Sequence, residues 1–177
     1  MFGRTVIFLL SDGTKNPQDQ PTGIVINRQL HRKIKHMKPS RLDLATTFAD
    51  SALHIGGPLL ESSICLFRSG DDRKFTGFEE VIPGLCYGTK QSLDEAMTLV
   101  KKGVAKPQDF RFFRGFSGWG RDQLKQELDK NYWHVAACSA NLIFGEYNES
   151  PEGLWEEILQ LMGGQYAELS RKPKLDI

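Results

Sequence analysis

The sequence predicts a single-domain α+β fold in which one or more twisted, mostly antiparallel sheets are flanked by about four helices. The length of 177 residues fits one domain. Strand-like and helix-like segments follow one another without regular βαβ alternation, which favours a mostly antiparallel sheet. Hydrophobic residues make up 40% and charged residues 25% of the chain, an ordinary balance for a soluble protein. We assign the domain to residues 1–168 and a polar, frayed C-terminal tail to residues 169–177.

Strand character is found in short apolar or β-branched runs bounded by Gly, Pro and polar residues. The loop 11–21 contains Gly and two Pro residues, so the runs on either side of it are predicted to form a hairpin-like pair. The polar, basic stretch 29–41 is read as a solvated loop and helix edge. The predicted strands cover residues 4–11, 22–28, 52–56, 63–68, 109–116 and 132–138, with one or two further short strands within 74–88.

Helices are predicted where apolar residues recur at helical spacing between start and stop signals. Gly103 ends one of these segments, and the pair Gly163-Gly164 ends another that has Pro151 in its first turn. The helices are placed at residues 42–50, 92–102, 121–130 and 151–162. Leu124 and Leu128 lie on one face of the third helix and are expected to be core residues.

Net charge and cysteine content exclude several classes of protein. The formal net charge is +1, so the chain as a whole does not require a polyanionic partner. Cys65, Cys86 and Cys138 are odd in number and have no CxxC spacing, which argues against a disulfide framework or a zinc ribbon. Their apolar neighbours predict buried, inert thiols in a reducing compartment. No run approaches the ~20 apolar residues of a membrane span, so no membrane association is expected.

Gly115, Gly118 and Gly120 lie where a strand is followed by a helix. Such a turn can present backbone N–H groups to an anion, or its glycines can simply allow positive φ and close packing under Trp119. Packing is favoured, because the spacing matches neither a Walker loop nor a dinucleotide fingerprint. The run around Ser117 also departs from a nucleophile elbow at its last position and has no assigned base, so a serine hydrolase is disfavoured.

Several polar residues are candidates for a site. Gln123 and Glu127 lie on one helix face and either hydrogen-bond the preceding turn or line a pocket beside it. Asn27 and Arg28 end an apolar strand, where Asn27 can fix a turn and Arg28 can pair with a carboxylate or an anionic ligand. His54 and His134 have no neighbouring metal-ligand spacing, so core or boundary positions are predicted and no metal site.

Taken together, Gly23–Arg28, Ile55–Pro58 and Gly115–Trp133 closely resemble the AlgH/YqgE family. The resemblance covers residues 2 to about 164, although Gln29 stands where the family usually has Pro and Ser117 where it commonly has Ala. The resemblance implies that one cleft is formed by residues of these three segments. It assigns no catalytic residue and no cofactor. The cleft residues are Asn27, Arg28, Gly56, Gly57, Pro58, Gly118, Trp119, Gln123, Glu127, Asn131 and Trp133.

The resemblance also implies features outside the cleft. Family members usually begin with an additional apolar strand before the segment that corresponds to residues 2–6; without it, a neighbouring strand should have an unpaired edge. The C-terminal sequence, including Tyr132–Cys138 and Trp155–Tyr166, resembles that of plant members of the family. This resemblance implies a plastid location, with the cytoplasm as the alternative. The family is often labelled as transcriptional regulators, but no helix-turn-helix module is recognisable.

One block of basic residues supports an alternative function. It contains Arg28, Arg32, Lys33, Lys35, Lys38 and Arg41, and no acidic residue lies between its ends. It is either a nucleic-acid-binding patch or a solvated surface, and aromatic residues for base stacking are missing from it. We expect a non-enzymatic regulatory or interaction domain that binds an unknown protein or small molecule in a cleft at the 115–123 strand-turn-helix. Nucleic-acid binding through this basic segment is the alternative, and a small-molecule enzyme or a thiol redox switch is less favoured.

Overall fold

The computed structural model describes residues 3–37, 41–70, 74–145 and 153–173, and it is an α+β domain with two sheets. The strands are β1 (Ile7–Ser11), β2 (Thr22–Val25), β3 (Gln29–Lys33), β4 (Ala52–Ile55), β5 (Ser63–Gly70), β6 (Glu79–Ile82), β7 (Gly84–Thr89), β8 (Phe110–Arg114) and β9 (Ser117–Gly118). The α-helices are α1 (Leu42–Thr47), α2 (Leu93–Lys101), α3 (Gln123–Asp129), α4 (Ala140–Ile143), α5 (Gly153–Met162) and α6 (Gly164–Ser170). The predicted fold class is thus confirmed.

The larger sheet has six strands in the order β3-β4-β8-β5-β7-β6, and the smaller has three in the order β1-β2-β9. All pairs are antiparallel except β4 and β8, which run parallel. The predicted hairpin of the first two strands is confirmed, with an irregularity between Leu9 and Ser11. Among the described strands β1 pairs with β2 alone, so it forms one edge of the smaller sheet.

The two faces of the larger sheet contribute to two separate hydrophobic clusters, as the two-residue period of a strand dictates. On β5, Cys65 and Phe67 enter a cluster with α2, whereas Ile64 and Leu66 enter a cluster with the smaller sheet, α4 and α5. Stacked Phe67 and Phe110 rings, with centroids 4.4 Å apart, fill the middle of the first cluster. The larger sheet is therefore covered on both faces.

Three sequence expectations about the elements were wrong. Residues 29–33 form a strand because they pair with β4, although Leu30 is their one apolar side chain and the other four are exposed and polar. Residues 132–138 form no strand, because propensity alone does not supply a neighbouring strand to pair with. Helix α6 continues to Ser170, which is buried, so the first residues of the supposed frayed tail are helical. The start of the last predicted long helix, at residues 151 and 152, lies outside the described residues.

Helix α3 is amphipathic in sequence but is not a core helix. None of its residues is fully buried, and Leu124 and Leu128, expected in the core, are only half-buried. Within the described ranges, no helix is long and apolar enough to cross a membrane.

Candidate functional site

Asn27, two residues beyond the end of β2, holds the N-terminal segment against the smaller sheet. Its side chain is 6% exposed; Oδ1 accepts from the Val6 N–H at 2.9 Å, and Nδ2 donates to the Arg4 carbonyl at 2.9 Å. Arg28 is exposed, and its carbonyl accepts from the Ile55 N–H. The polar pair thus divides its roles, with Asn27 buried as a clamp and Arg28 at the surface.

Gly56 and Gly57 lie where β4 comes closest to the chain that leaves β8. A Cβ on Gly56 would collide with the Gly115 carbonyl and approach Phe113 Cβ at 3.2 Å, and one on Gly57 would collide with the Phe116 backbone. Gly56 N–H donates to the Arg114 carbonyl at 2.8 Å, and its carbonyl accepts from Val25 N–H at 2.7 Å. These residues form a close-packed seam between the two sheets, with Pro58 exposed just beyond it.

Trp119 lies beneath the turn that joins β9 to α3. It is 6% exposed, its N–H donates to the Pro21 carbonyl at 3.0 Å, and its ring meets Trp133 edge to face with centroids 6.1 Å apart. Gly118 is exposed, and a Cβ there would meet its nearest neighbour at an ordinary 3.5 Å. The packing of Trp119 therefore depends on the path of the turn rather than on the lack of a side chain at Gly118.

The polar residues of α3 bond to the chain on either side of the helix. Gln123 Oε1 accepts from the Gly120 N–H at 2.8 Å, and Glu127 Oε1 lies 3.4 Å from Trp133 Nε1. Asn131, exposed and at φ +59°, ends the helix with its N–H bonded to the Leu128 carbonyl. Asp122, at φ +65°, is the residue that immediately precedes α3, a helix of seven residues. An anion bound at the start of this helix would therefore lie close to the negative charge of Asp122.

Two buried oxygens in this region have no hydrogen-bond partner in the part of the chain that is described: Ser117 Oγ and Glu127 Oε2. Ser117 is 4% exposed and sits on β9, which pairs with β2 and lies against Gly57. Strand β9 consequently links the Asn27–Gly57 seam to the Trp119–Trp133 turn. The expected cleft residues are distributed around β9 in these two groups, and their assignment as a binding cleft stays a prediction.

Residues 132–138, which we call the apolar segment, were predicted as a paired strand and are instead largely open to solvent. Tyr132 is 66% and Val135 72% exposed, and Trp133 is half-buried. No backbone N–H or C=O of residues 134–138 bonds to another described residue. The strand-like composition was visible in the sequence, but the missing pairing partner was not.

The basic segment is partly balanced by acids. The Asp50 Oδ1 atom lies 3.0 Å from Lys35 Nζ and 3.9 Å from Lys33 Nζ, and these contacts lower the pKa of the Asp50 carboxyl. Arg41 bonds to Asp43 at 2.9 Å and to Asp94 at 2.6 Å. Arg28 and Arg32 are exposed, and Lys38 lies outside the described residues.

The thiols are poor nucleophiles. Cys65 and Cys86 are buried and Cys138 is half-buried, and loss of solvation raises the pKa of all three, to about 11 for Cys86. They are therefore protonated near neutral pH, which counts against a thiol switch. His54 is buried, as expected for a core or boundary histidine, and burial lowers its pKa to about 4, whereas His134, for which the same was expected, is exposed. Across the described ranges no group of three or more His, Cys, Asp or Glu side chains could hold a metal ion.

Comparison with known proteins identifies the family. A family model for AlgH-like proteins, a domain of unknown function, matches residues 1–167. A protein of Chlorobium luteolum named UPF0301 protein is 29% identical over 98% of this chain and 84% of its own length, and one of Cytophaga hutchinsonii is 30% identical over 85% and 78%. The solution structure of AlgH from Pseudomonas aeruginosa superposes with a TM-score of 0.63 at 20% identity over 97% of this chain and 86% of that one. A crystal structure from Corynebacterium diphtheriae gives 0.71 at 17% over 95% and 82%. The chain belongs to the AlgH-like family.

Proposed function

We propose that the protein is a non-enzymatic interaction domain that binds an extended strand of a partner protein along the apolar segment. The observation that carries the proposal is the combination, in residues 134–138, of exposed apolar side chains and of backbone groups that bond to no other described residue. Such a segment can receive a strand by backbone pairing, with affinity from hydrogen bonds and specificity from alternate side chains.

The surroundings of the segment support a docking surface rather than a loop free on all sides. At its start, Trp133 is fixed by Trp119 and Glu127. At its end, Cys138 packs against the second hydrophobic cluster. The segment is thus held at both ends while its middle stays open, which limits the ordering cost of binding.

A regulatory role would follow from capture of a partner, without any chemistry in this chain. The buried protonated thiols and the lack of a base assigned to Ser117 are consistent with this interpretation. The plastid location stays a prediction from the plant-like wording of the sequence.

The test is to replace Tyr132 by a photo-crosslinking phenylalanine analogue, identify the captured protein, and measure its affinity with purified components. Val135→Pro removes one backbone N–H from the segment without removing an existing hydrogen bond to a described residue. We expect it to weaken binding by up to about tenfold, the upper range for the loss of one hydrogen bond. Leu161→Ser is the matched control, because Leu161 is 69% exposed on α5; it should bind normally.

Equal affinity of the Val135→Pro variant and the unaltered protein, with the fold intact by circular dichroism, would refute strand pairing. Crosslinks only between two copies of this chain would identify self-association instead of a foreign partner.

A second candidate is nucleic-acid binding through the basic segment, which the exposed Arg28 and Arg32 favour. It ranks lower because Lys33, Lys35 and Arg41 already face Asp50, Asp43 and Asp94. Binding to duplex DNA over a salt series, with Arg32, Lys33 and Lys35 neutralised in the comparison variant, tests it. Contact with phosphates requires log K to fall against log salt by about 0.9 per contact, and the variant should flatten this slope. No binding at low salt would eliminate this candidate.

A further inference from the structure

Helix α6 contacts the apolar segment and is joined to α5 through two consecutive glycines. Gly163 and Gly164 both have positive φ, 73° and 53°. A Cβ on either residue would meet no described atom within 4 Å, so close packing is not what requires glycine at these positions. The left-handed backbone that redirects the chain between the two helices requires it, because a residue with a Cβ adopts this conformation only at a cost. The same freedom of glycine lets this link serve as a hinge.

The body of α6 buries little of its surface. Ser170 is the one buried residue of its seven, and the Ser170 hydroxyl bonds within the helix, to the Ala167 carbonyl. The larger apolar side chains, Tyr166 and Leu169, are half-buried. On α5, by contrast, Leu154 is fully buried and belongs to the second hydrophobic cluster. An element that buries so little has a low free energy of local opening.

Arg4 holds the two helices against the N-terminal segment. Its Nη2 donates to the Lys172 carbonyl, just beyond the end of α6, at 2.6 Å, and its Nη1 lies 3.7 Å from Glu156 Oε1 on α5. The guanidinium also lies 4.9 Å from the centre of the Trp155 ring, within the range of a cation–π interaction. Because the Arg4 carbonyl accepts from Asn27 Nδ2, these contacts connect the seam to the far end of α6.

Tyr166 makes the contact between α6 and the apolar segment. Its ring meets the His134 ring edge to face, with centroids 5.3 Å apart. When two strands pair, directly opposite side chains have their Cβ atoms about 4.5–5.5 Å apart. The space beside the His134 ring is thus occupied at a spacing similar to that of a cross-strand neighbour. A strand that pairs with residues 134–138 from this side has to displace Tyr166.

We propose that α6 is a hinged cap on the start of residues 134–138. Arg4 and Tyr166 hold the cap closed, and a partner strand binds when α6 has moved away about Gly163 and Gly164. What the cap controls rests on the proposed strand binding, whereas the opening of α6 does not depend on a partner. The measured affinity for a strand is reduced by the fraction of molecules that are open, so loss of either contact raises the affinity.

The opening of α6 is tested by amide hydrogen exchange on the protein alone. We expect the hydrogen-bonded amides of α6 to exchange as one unit, at least tenfold faster than those of α5. Arg4→Gln and Tyr166→Ala should each accelerate exchange in α6 several-fold and leave β5 unchanged. Two controls should change neither rate: Lys101→Gln removes an equal charge at an exposed position of α2, and Gln165→Ala shortens an exposed side chain of α6.

Control of binding is tested with the purified protein that crosslinks through residue 132. Tyr166→Ala and Arg4→Gln should bind it several-fold more tightly than the unaltered chain, and Gln165→Ala should bind it equally. Thermal unfolding verifies that each variant is folded, and Tyr166→Ala alone decides the matter if Arg4→Gln is not. Weaker binding of Tyr166→Ala would overturn the proposal, because Tyr166 would then belong to the docking surface. Equal exchange of α5 and α6 in every variant would also overturn it.

The cap and the strand binding that it controls fail in different measurements. If Val135→Pro leaves the affinity unchanged, strand pairing is wrong and α6 has no binding to control, however quickly its amides exchange. If Val135→Pro weakens binding while Tyr166→Ala and Arg4→Gln leave the affinity as it was, strand pairing stands and the cap is refuted.

Discussion

The seam between the two sheets differs from the face formed by β9, α3 and the apolar segment. The two regions differ in how well their buried polar groups are hydrogen-bonded and in how exposed their apolar side chains are. At the seam, Asn27 satisfies its amide oxygen and nitrogen, and Gly56 pairs both its backbone groups. On the other face, Ser117 Oγ and Glu127 Oε2 are buried without a described partner while Val135 is 72% exposed. A fully satisfied region contributes stability, whereas exposed apolar side chains such as Val135 offer surface that a partner can bury.

The largest effect is expected from Gly56→Ala. The added Cβ would collide with the Gly115 carbonyl, and neither backbone can move without disturbing the pairing of β4 with β8. We expect the free energy of unfolding to fall by about 3 kcal/mol or more, the upper range for overpacking, as measured by denaturant unfolding. Gly118→Ala, in the opposite region, should change it by less than about 0.5 kcal/mol, because its nearest neighbour would lie at 3.5 Å. Equal losses in the free energy of unfolding for the two variants would mean that the seam is packed no more tightly than the turn.

His54 provides a pH-dependent test on the strand that leads into the seam. Its pKa is about 4 in the folded protein, because burial and, second, the Arg111 charge disfavour the imidazolium. The unfolded chain takes up this proton at its ordinary pKa near 6.5, so stability is lost as pH falls from about 6.5 to 4 and is unaffected above that window. The loss should approach about 3 kcal/mol. The Asp50 carboxyl does not share this window, because its contacts with Lys35 and Lys33 hold its pKa below the ordinary value of an aspartate.

The measurement is the free energy of unfolding against pH for the unaltered protein and for His54→Phe. Subtraction removes the carboxylates common to both. A difference that stays constant between pH 7 and 4 would show that His54 titrates normally and that its ring is open to solvent.

The sequence predicted the fold class and the core strands well because alternation of apolar side chains is a local signal. It could not predict β3, because Leu30 is the only apolar residue in Gln29–Lys33 and the strand exists through its pairing with β4. Nor could it bring His54 and Arg111 together, since their proximity depends on the parallel register of β4 and β8. Residues 132–138 were predicted as a strand and form none, because strand-like composition does not guarantee a neighbouring strand.

Asn27→Ala should have a smaller effect than the two preceding changes, confined at first to the N-terminal segment. It would leave the Val6 N–H and the Arg4 carbonyl without the amide that now pairs them. We expect a loss of about 2 kcal/mol in the free energy of unfolding, the cost of unsatisfied buried polar groups. Hydrogen exchange at Val6 should accelerate more than exchange in β5. Asn16→Ala removes an exposed bond to Asp19 and serves as the control; if it costs as much, burial at the seam is not the cause.

Ser117→Ala should change stability least, and in the favourable direction. The hydroxyl is buried at 4% exposure and bonds to no described residue, so its removal recovers a desolvation cost while leaving the strand pairing with Gly23 in place. We expect the free energy of unfolding to rise by about 1 kcal/mol. Ser63→Ala, at an exposed position that begins β5, should leave it unchanged. A loss in the Ser117 variant would show that its hydroxyl is satisfied after all, and that β9 belongs with the well-matched seam. A gain would show that the Ser117 hydroxyl is buried without a partner, and that β9 differs in this respect from the seam.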